Sequence, residues 1–144
     1  MSETAQVDFY LLKTPELDAR LLACRLALMA WERGHRITVL TESPTDAAEL
    51  DDLMWKSPQG RFLPHSTDDS EKSGMAPVLI TGAEHLNEAD VLINLCRSPV
   101  EDPGRFNRLL EIVPHRKADR EASRDKFRYY REQGLNPATH EISR

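Results

Sequence analysis

Two cysteines in 144 residues, Cys24 and Cys96, are too few and too far apart for a disulfide framework, and neither belongs to a Cys-x-x-Cys or Cys/His spacing that would hold zinc. Both read as buried small hydrophobes. No run of eighteen apolar residues occurs, and the start Met-Ser-Glu-Thr-Ala-Gln-Val-Asp lacks the basic residues and apolar stretch of a secretory signal. A cytoplasmic chain without a membrane segment is the expectation. Glycine is scarce as well, with six in all. None lies in the first expected strand-to-helix turn, Leu12-Lys13-Thr14-Pro15-Glu16, where a nucleotide-binding α/β fold needs a backbone without Cβ so that amides can approach phosphate. Glu16 puts a carboxylate there instead. Gly-x-x-x-x-Gly-Lys, Gly-x-Ser-x-Gly and His-Glu-x-x-His are missing too, so neither nucleotide chemistry nor a bound cofactor is expected.

What is present is ordinary globular composition, 40% hydrophobic and 30% charged, at a length that suits one domain spanning 1–144. Val7 to Leu12 reads as a buried first strand. Thr14-Pro15-Glu16 reads as a helix start, with Thr14 as N-cap and Pro15 in the first turn. Leu17, Leu21, Cys24 and Leu28 recur at helical spacing on an inward face, and Gly34 ends the helix. Arg36 to Thr41 is β-branched and predicts a second strand; Ser43-Pro44-Thr45-Asp46 opens a second helix with Ala47, Leu50 and Met54 inward. The segment 55–74 reads as irregular. Pro77 to Thr81 and Asp90 to Leu95 predict core strands, 103–110 a helix, 111–114 a last short strand, and 116–133 a final helix stopped by Gly134. The alternation implies an α/β fold, a mostly parallel sheet with helices on both faces.

Charge is unevenly spread over a net of −5. Residues 116–144 carry eight Lys and Arg against five Asp and Glu, a net of +3, which leaves −8 for residues 1–115. On a helical wheel of about 100° per residue, Arg116, Lys117, Arg120, Arg124, Phe127, Arg128 and Arg131 share an arc of about 120° that contains no acid. Ala118, Ala122 and Tyr129 supply an opposite face for packing. The arc is either a solvated surface whose arginines pair with acids of the body, or a docking site for an anion. Phe127 among guanidinium groups suits an acidic peptide with an apolar end, or a stacked base of single-stranded nucleic acid. The acidic remainder of the chain opposes a nucleic-acid backbone, so direct binding to nucleic acid is expected to be weak or indirect.

Trp55 lies about 120° from the Ala47, Leu50 and Met54 stripe and is followed by Phe62-Leu63-Pro64-His65. Trp55 and Phe62 either pin a long loop or form an apolar interface patch. The five histidines are scattered and fall mostly beside turns and element ends, which leaves a metal or acid/base site assembled from them in space as a minor alternative; the pairs Asp51-Asp52 and Asp68-Asp69 diverge on any regular backbone and read as solvated surface. An enzyme with an unrecognised pocket is the remaining alternative.

Across nearly its whole length the sequence resembles the chi subunit of bacterial DNA polymerase III. The resemblance is carried by Asp8-Phe9-Tyr10-Leu11-Leu12, by Cys24-Arg25-Leu26 running to Gly34-His35-Arg36, and by Leu50 to Trp55 with Phe62-Leu63-Pro64-His65. Pro77 to Ile80, Val91 to Leu95, and Arg124-x-x-Phe127-Arg128-x-x-Arg131-x-x-Gly134 complete it. The resemblance implies a Rossmann-like open α/β sheet without nucleotide binding, and a non-catalytic clamp-loader accessory subunit. It would bridge the psi subunit to the acidic, phenylalanine-ended C-terminal tail of single-stranded DNA-binding protein. By position, Val113, Arg120, Arg124, Phe127, Arg128 and Arg131 resemble the tail-binding site, and Trp55, Phe62 and Pro64 the psi surface. Lys56-Ser57-Pro58 departs from the threonine and aromatic expected after Trp55, and Phe127 stands where tyrosine is expected.

Overall fold

A computed structural model of the chain describes residues 5–56, 65–67, 78–82, 90–101 and 103–143. In these segments seven strands form one sheet: β1 (Gln6–Leu12), β2 (Ile37–Leu40), β3 (His65–Thr67), β4 (Val78–Thr81), β5 (Val91–Asn94), β6 (Arg108–Val113) and β7 (Ala138–Ile142). The order across the sheet is β3-β4-β2-β5-β6-β1-β7, and every pairing is parallel. Parallel strands are buried on both sides, which is why β2, β4 and β5 are apolar without alternation.

Three helices join them: α1 (Ala19–Glu32), α2 (Pro44–Lys56) and α3 (Lys117–Glu132). α1 packs against β2, β5 and β6, and α2 against β3 and β4. Together they cover a core containing Leu12, Cys24, Leu28, Ile37, Leu50, Met54, Ile80 and Ile93. α3 closes the other face over Val7, Phe9, Leu92, Phe106, Leu109 and Val113. Helices on both faces of a parallel sheet are what the pattern of elements predicted.

Several boundaries differ from expectation. Asp18 caps α1, its Oδ1 accepting the N–H of Arg20 at 2.8 Å, while Thr14 to Leu17 make a separate turn closed by the Leu17 N–H to the Thr14 carbonyl. A carboxylate is the better partner for the exposed amides, so the cap lies four residues after Thr14 and the helix starts at Ala19. Leu21 is exposed, and Ala23, Cys24, Ala27 and Leu28 form the buried stripe. Residues 103–110 are not a helix: a 3-10 turn at Pro103–Arg105 leads into β6, which begins at Arg108. Leu109, Leu110, Ile112 and Val113 are buried on alternate faces of the sheet, and tertiary burial overrides local helix propensity. Two edge strands were unexpected. β3 lies inside the segment 55–74, which the sequence reads as irregular, and β7 follows α3, the helix that the sequence predicts as the final element.

Both long helices stop as predicted. Gly34 and Gly134 have φ of +87°, open to glycine without strain. At each, paired bonds reach back into the last turn: Gly34 to Trp31 with His35 to Ala30, and Gly134 to Arg131 with Leu135 to Tyr130.

Candidate functional site

The strand ends of a parallel sheet are where α/β proteins usually hold a ligand, and a crevice of about 760 Å³ lies there, between the loops after β1, β2, β5 and β6. Its chemistry runs against phosphate. Each helix that starts at its rim brings a carboxylate to the helix N-terminus: Asp18 on α1, Asp46 on α2 and Asp119 on α3. Two of the cations there are engaged by acids, Arg20 with Asp18 and Glu49 and Arg97 with Asp119, and Arg116 also lines the rim. Among the described residues no group of His, Cys, Asp and Glu is placed to hold a metal ion.

The cationic surface lies on α3. Arg120, Arg124, Arg128 and Arg131 are all exposed. Arg128 meets Asp125 only at 3.8 Å, with both side chains more than 70% exposed, so that pair is worth little. Among the described residues Arg120, Arg124 and Arg131 enter no ion pair. Between these guanidinium groups and the sheet sits Phe127, half-buried, its ring centroid 5.5 Å from that of Phe9. Val113 is buried in the same cluster, so it forms floor rather than rim.

The packing of α3 departs from the expected one. The buried line is Ser123, Lys126 and Tyr130, not Ala118, Ala122 and Tyr129, and Ala118 is exposed. The arginine arc is therefore one flank of the helix, not the pole opposite the sheet, and Phe127 is where that flank meets the core. Lys126 is one of the eight basic residues of 116–144, yet it is buried against Glu111 with Nζ to Oε1 at 2.8 Å. Nothing in the local sequence signalled that pair, because its members lie fifteen residues apart on different elements.

Trp55, in the last turn of α2, is 61% exposed. It follows the buried Met54 but points away from that residue's core stripe. Phe62 and Pro64, the other positions expected on this surface, lie outside the described residues.

Both cysteines are buried as expected. Burial pushes the Cys24 thiol up to about 11 and the Cys96 thiol to about 12, so neither is a ready nucleophile. No helix among the described residues is long and apolar enough to cross a membrane.

An all-parallel sheet with helices on both faces, and no glycine turn after its first strand, defines a Rossmann-like α/β protein outside the glycine-loop nucleotide binders. A family model described as DNA polymerase III chi subunit, HolC, matches residues 4–138, and the chain belongs to that family. It is 39% identical to the DNA polymerase III subunit chi of Pseudomonas aeruginosa, over 96% of this chain and 98% of that protein. With the subunit chi of Haemophilus influenzae it shares 29% identity over 99% of each. Among solved structures, S. cerevisiae Dbp5 bound to RNA and ADP BeF3 superposes with a TM-score of 0.70 at 12% identity, covering 98% of this chain and 42% of that one. At that identity the likeness shows the fold alone. The family makes the chain an accessory subunit of the replicative polymerase.

Proposed function

We propose that this chain is a single-domain, cytoplasmic, non-catalytic bridge within the clamp-loader assembly. One surface takes the acidic C-terminal tail of single-stranded DNA-binding protein, and the other takes the psi subunit. The observation that carries the first contact is the flank of α3, where the exposed guanidinium groups of Arg120, Arg124 and Arg131, without ion-pair partners among the described residues, and the weakly paired Arg128 border a half-buried phenylalanine. Arginines there donate charge-assisted hydrogen bonds to aspartates and to a terminal carboxylate, and the surface over Phe127 and Phe9 receives the terminal aromatic ring. For the second contact the support is Trp55, a large exposed aromatic of the kind that anchors interfaces, with Phe62 and Pro64 following in sequence.

A peptide contact of this size is expected in the micromolar range, about −8 kcal/mol, and weaker as salt screens the arginines. Calorimetry with an acidic, phenylalanine-ended peptide tests it. Arg124→Ala and Arg128→Glu are each expected to reduce binding at least tenfold, and unchanged affinity in both removes the site assignment. An oligonucleotide titrated at moderate salt separates the alternative reading: tight binding with no protein partner would make α3 a single-stranded nucleic-acid surface.

A further inference from the structure

Beneath the basic flank of α3 is a charged cluster that no ligand on the surface reaches. Glu111 lies mid-way along β6, fully buried, with Asn94 of β5 and Phe9 of β1 beside it in register. Its Oε1 accepts from Lys126 Nζ at 2.8 Å, and its Oε2 accepts from Asn94 Nδ2 at 2.9 Å and from the Tyr130 hydroxyl. The loop after β5 completes the set. Lys126 also donates to the Cys96 carbonyl, the Val100 N–H donates to Tyr130 Oη at 2.8 Å, Asn94 Nδ2 donates to the Ser98 carbonyl at 3.0 Å, and the Cys96 N–H donates to Asn94 Oδ1 at 2.9 Å. Nearer the start of the helix, Arg97 of the same loop donates to Asp119 at 2.9 Å.

Burial alone does not explain these choices, because an apolar pair of the same volume is often as stable as a buried ion pair. What hydrogen bonds add is direction. Asp119, Lys126 and Tyr130 fall within about 40° of one line along α3, so three points of attachment define the roll of the helix about its axis. Phe127 and Arg120, Arg124 and Arg131 lie on the adjoining flank, at angles where a modest roll would carry all of them together toward the sheet or away from it, and so away from Phe9 and Val113 beneath.

We infer that Glu111, Lys126 and Tyr130 are positioning residues for the acidic-tail site: they set the roll of α3, and with it tail affinity, without touching the tail. The inference rests on the tail-binding reading for its ligand, but not for its geometry. The test is the double variant Glu111→Leu/Lys126→Met, which replaces the ion pair by an apolar pair, studied where unfolding shows it fully folded. Two readouts are taken: calorimetric affinity for an acidic, phenylalanine-ended peptide, and nuclear Overhauser contacts between the rings of Phe9 and Phe127. Expected are a five- to tenfold loss of affinity and weakened ring contacts. Wild-type affinity with intact ring contacts overturns the inference. Should the double variant not fold cooperatively, Tyr130→Phe, which removes a single hydroxyl, is read in the same way. There a two- to threefold loss with altered ring contacts is expected, and unchanged values overturn it. A wild-type chain that fails to bind the peptide overturns the tail-binding reading instead, and the ring contacts, which need no ligand, still decide whether the cluster sets the roll.

Discussion

Asp8 shows how a residue legible only as part of a strand acquires a specific physical role. It is 2% exposed, and its carboxylate accepts from Arg108 Nη2 at 2.9 Å, pairs with His140 Nε2 at 2.9 Å, and accepts from Gln6 Nε2 at 3.1 Å. Burial works against its charge, but the hydrogen bonds and charges of Arg108 and His140 more than offset that and hold its carboxyl below the ordinary value. A depressed folded-state value means that the unfolded chain binds the proton more readily. The stabilisation is therefore present above about pH 4 and is lost as pH falls through the folded value. Asp8→Asn is expected to cost about 1–3 kcal/mol at pH 7 in urea unfolding, with the two stability curves converging toward pH 2. Parallel curves over that range would show that the carboxylate charge contributes nothing. Because Arg108 and His140 stand on the strands either side of β1, the same residue ties three strands together. No sequence pattern announces such a triad, whose members are separated by 100 and 132 positions.

Elements were legible where burial writes a local pattern. β1, β2, β4 and β5 are apolar runs, α2 opens on Ser43-Pro44, and α1 and α3 close on glycine, so each was predicted near its observed place. β7 was not, because its residues Ala138, Thr139, His140 and Glu141 are exposed and carry no apolar signature. The pattern around residue 108 misled because a strand buried on both faces loses the alternation that distinguishes it from a helix. For the candidate site, the arginines and Phe127 were readable on a wheel. The buried line of α3 was not, since it contains a lysine paired across the fold. α2 carries the prediction at this scale. Trp55 is at its exposed end, so Trp55→Ala is expected to leave thermal unfolding within about 0.5 kcal/mol of wild type while removing co-elution with the psi subunit in size-exclusion chromatography. Undiminished co-elution would place the psi contact elsewhere.

For the whole molecule, the two proposed contacts lie on opposite layers: α2 on one face of the sheet, α3 on the other. Both partners can then be held at once without competing for surface, which is what a bridge requires. The sheet that separates the layers depends on its edges. β7 covers β1, whose side chains Val7 and Phe9 are buried, and it is itself polar and exposed on both faces, with His140 on one and Glu141 on the other. Deleting residues 138–144 would turn β1 into an apolar edge strand. The shortened chain is expected to unfold at lower temperature and to associate with increasing concentration in light scattering, and a monomer of wild-type stability would show that β7 is dispensable.

The placement of β1 between β6 and β7 also sets an order of events in time. Both partners of the first strand lie about a hundred or more positions further along the chain, so during synthesis β1 must wait, unpaired, until nearly everything after it has emerged. Loops of that length close slowly, and a sheet whose earliest strand is completed last should refold in milliseconds to seconds rather than microseconds. In the interval an apolar strand is available to wrong partners.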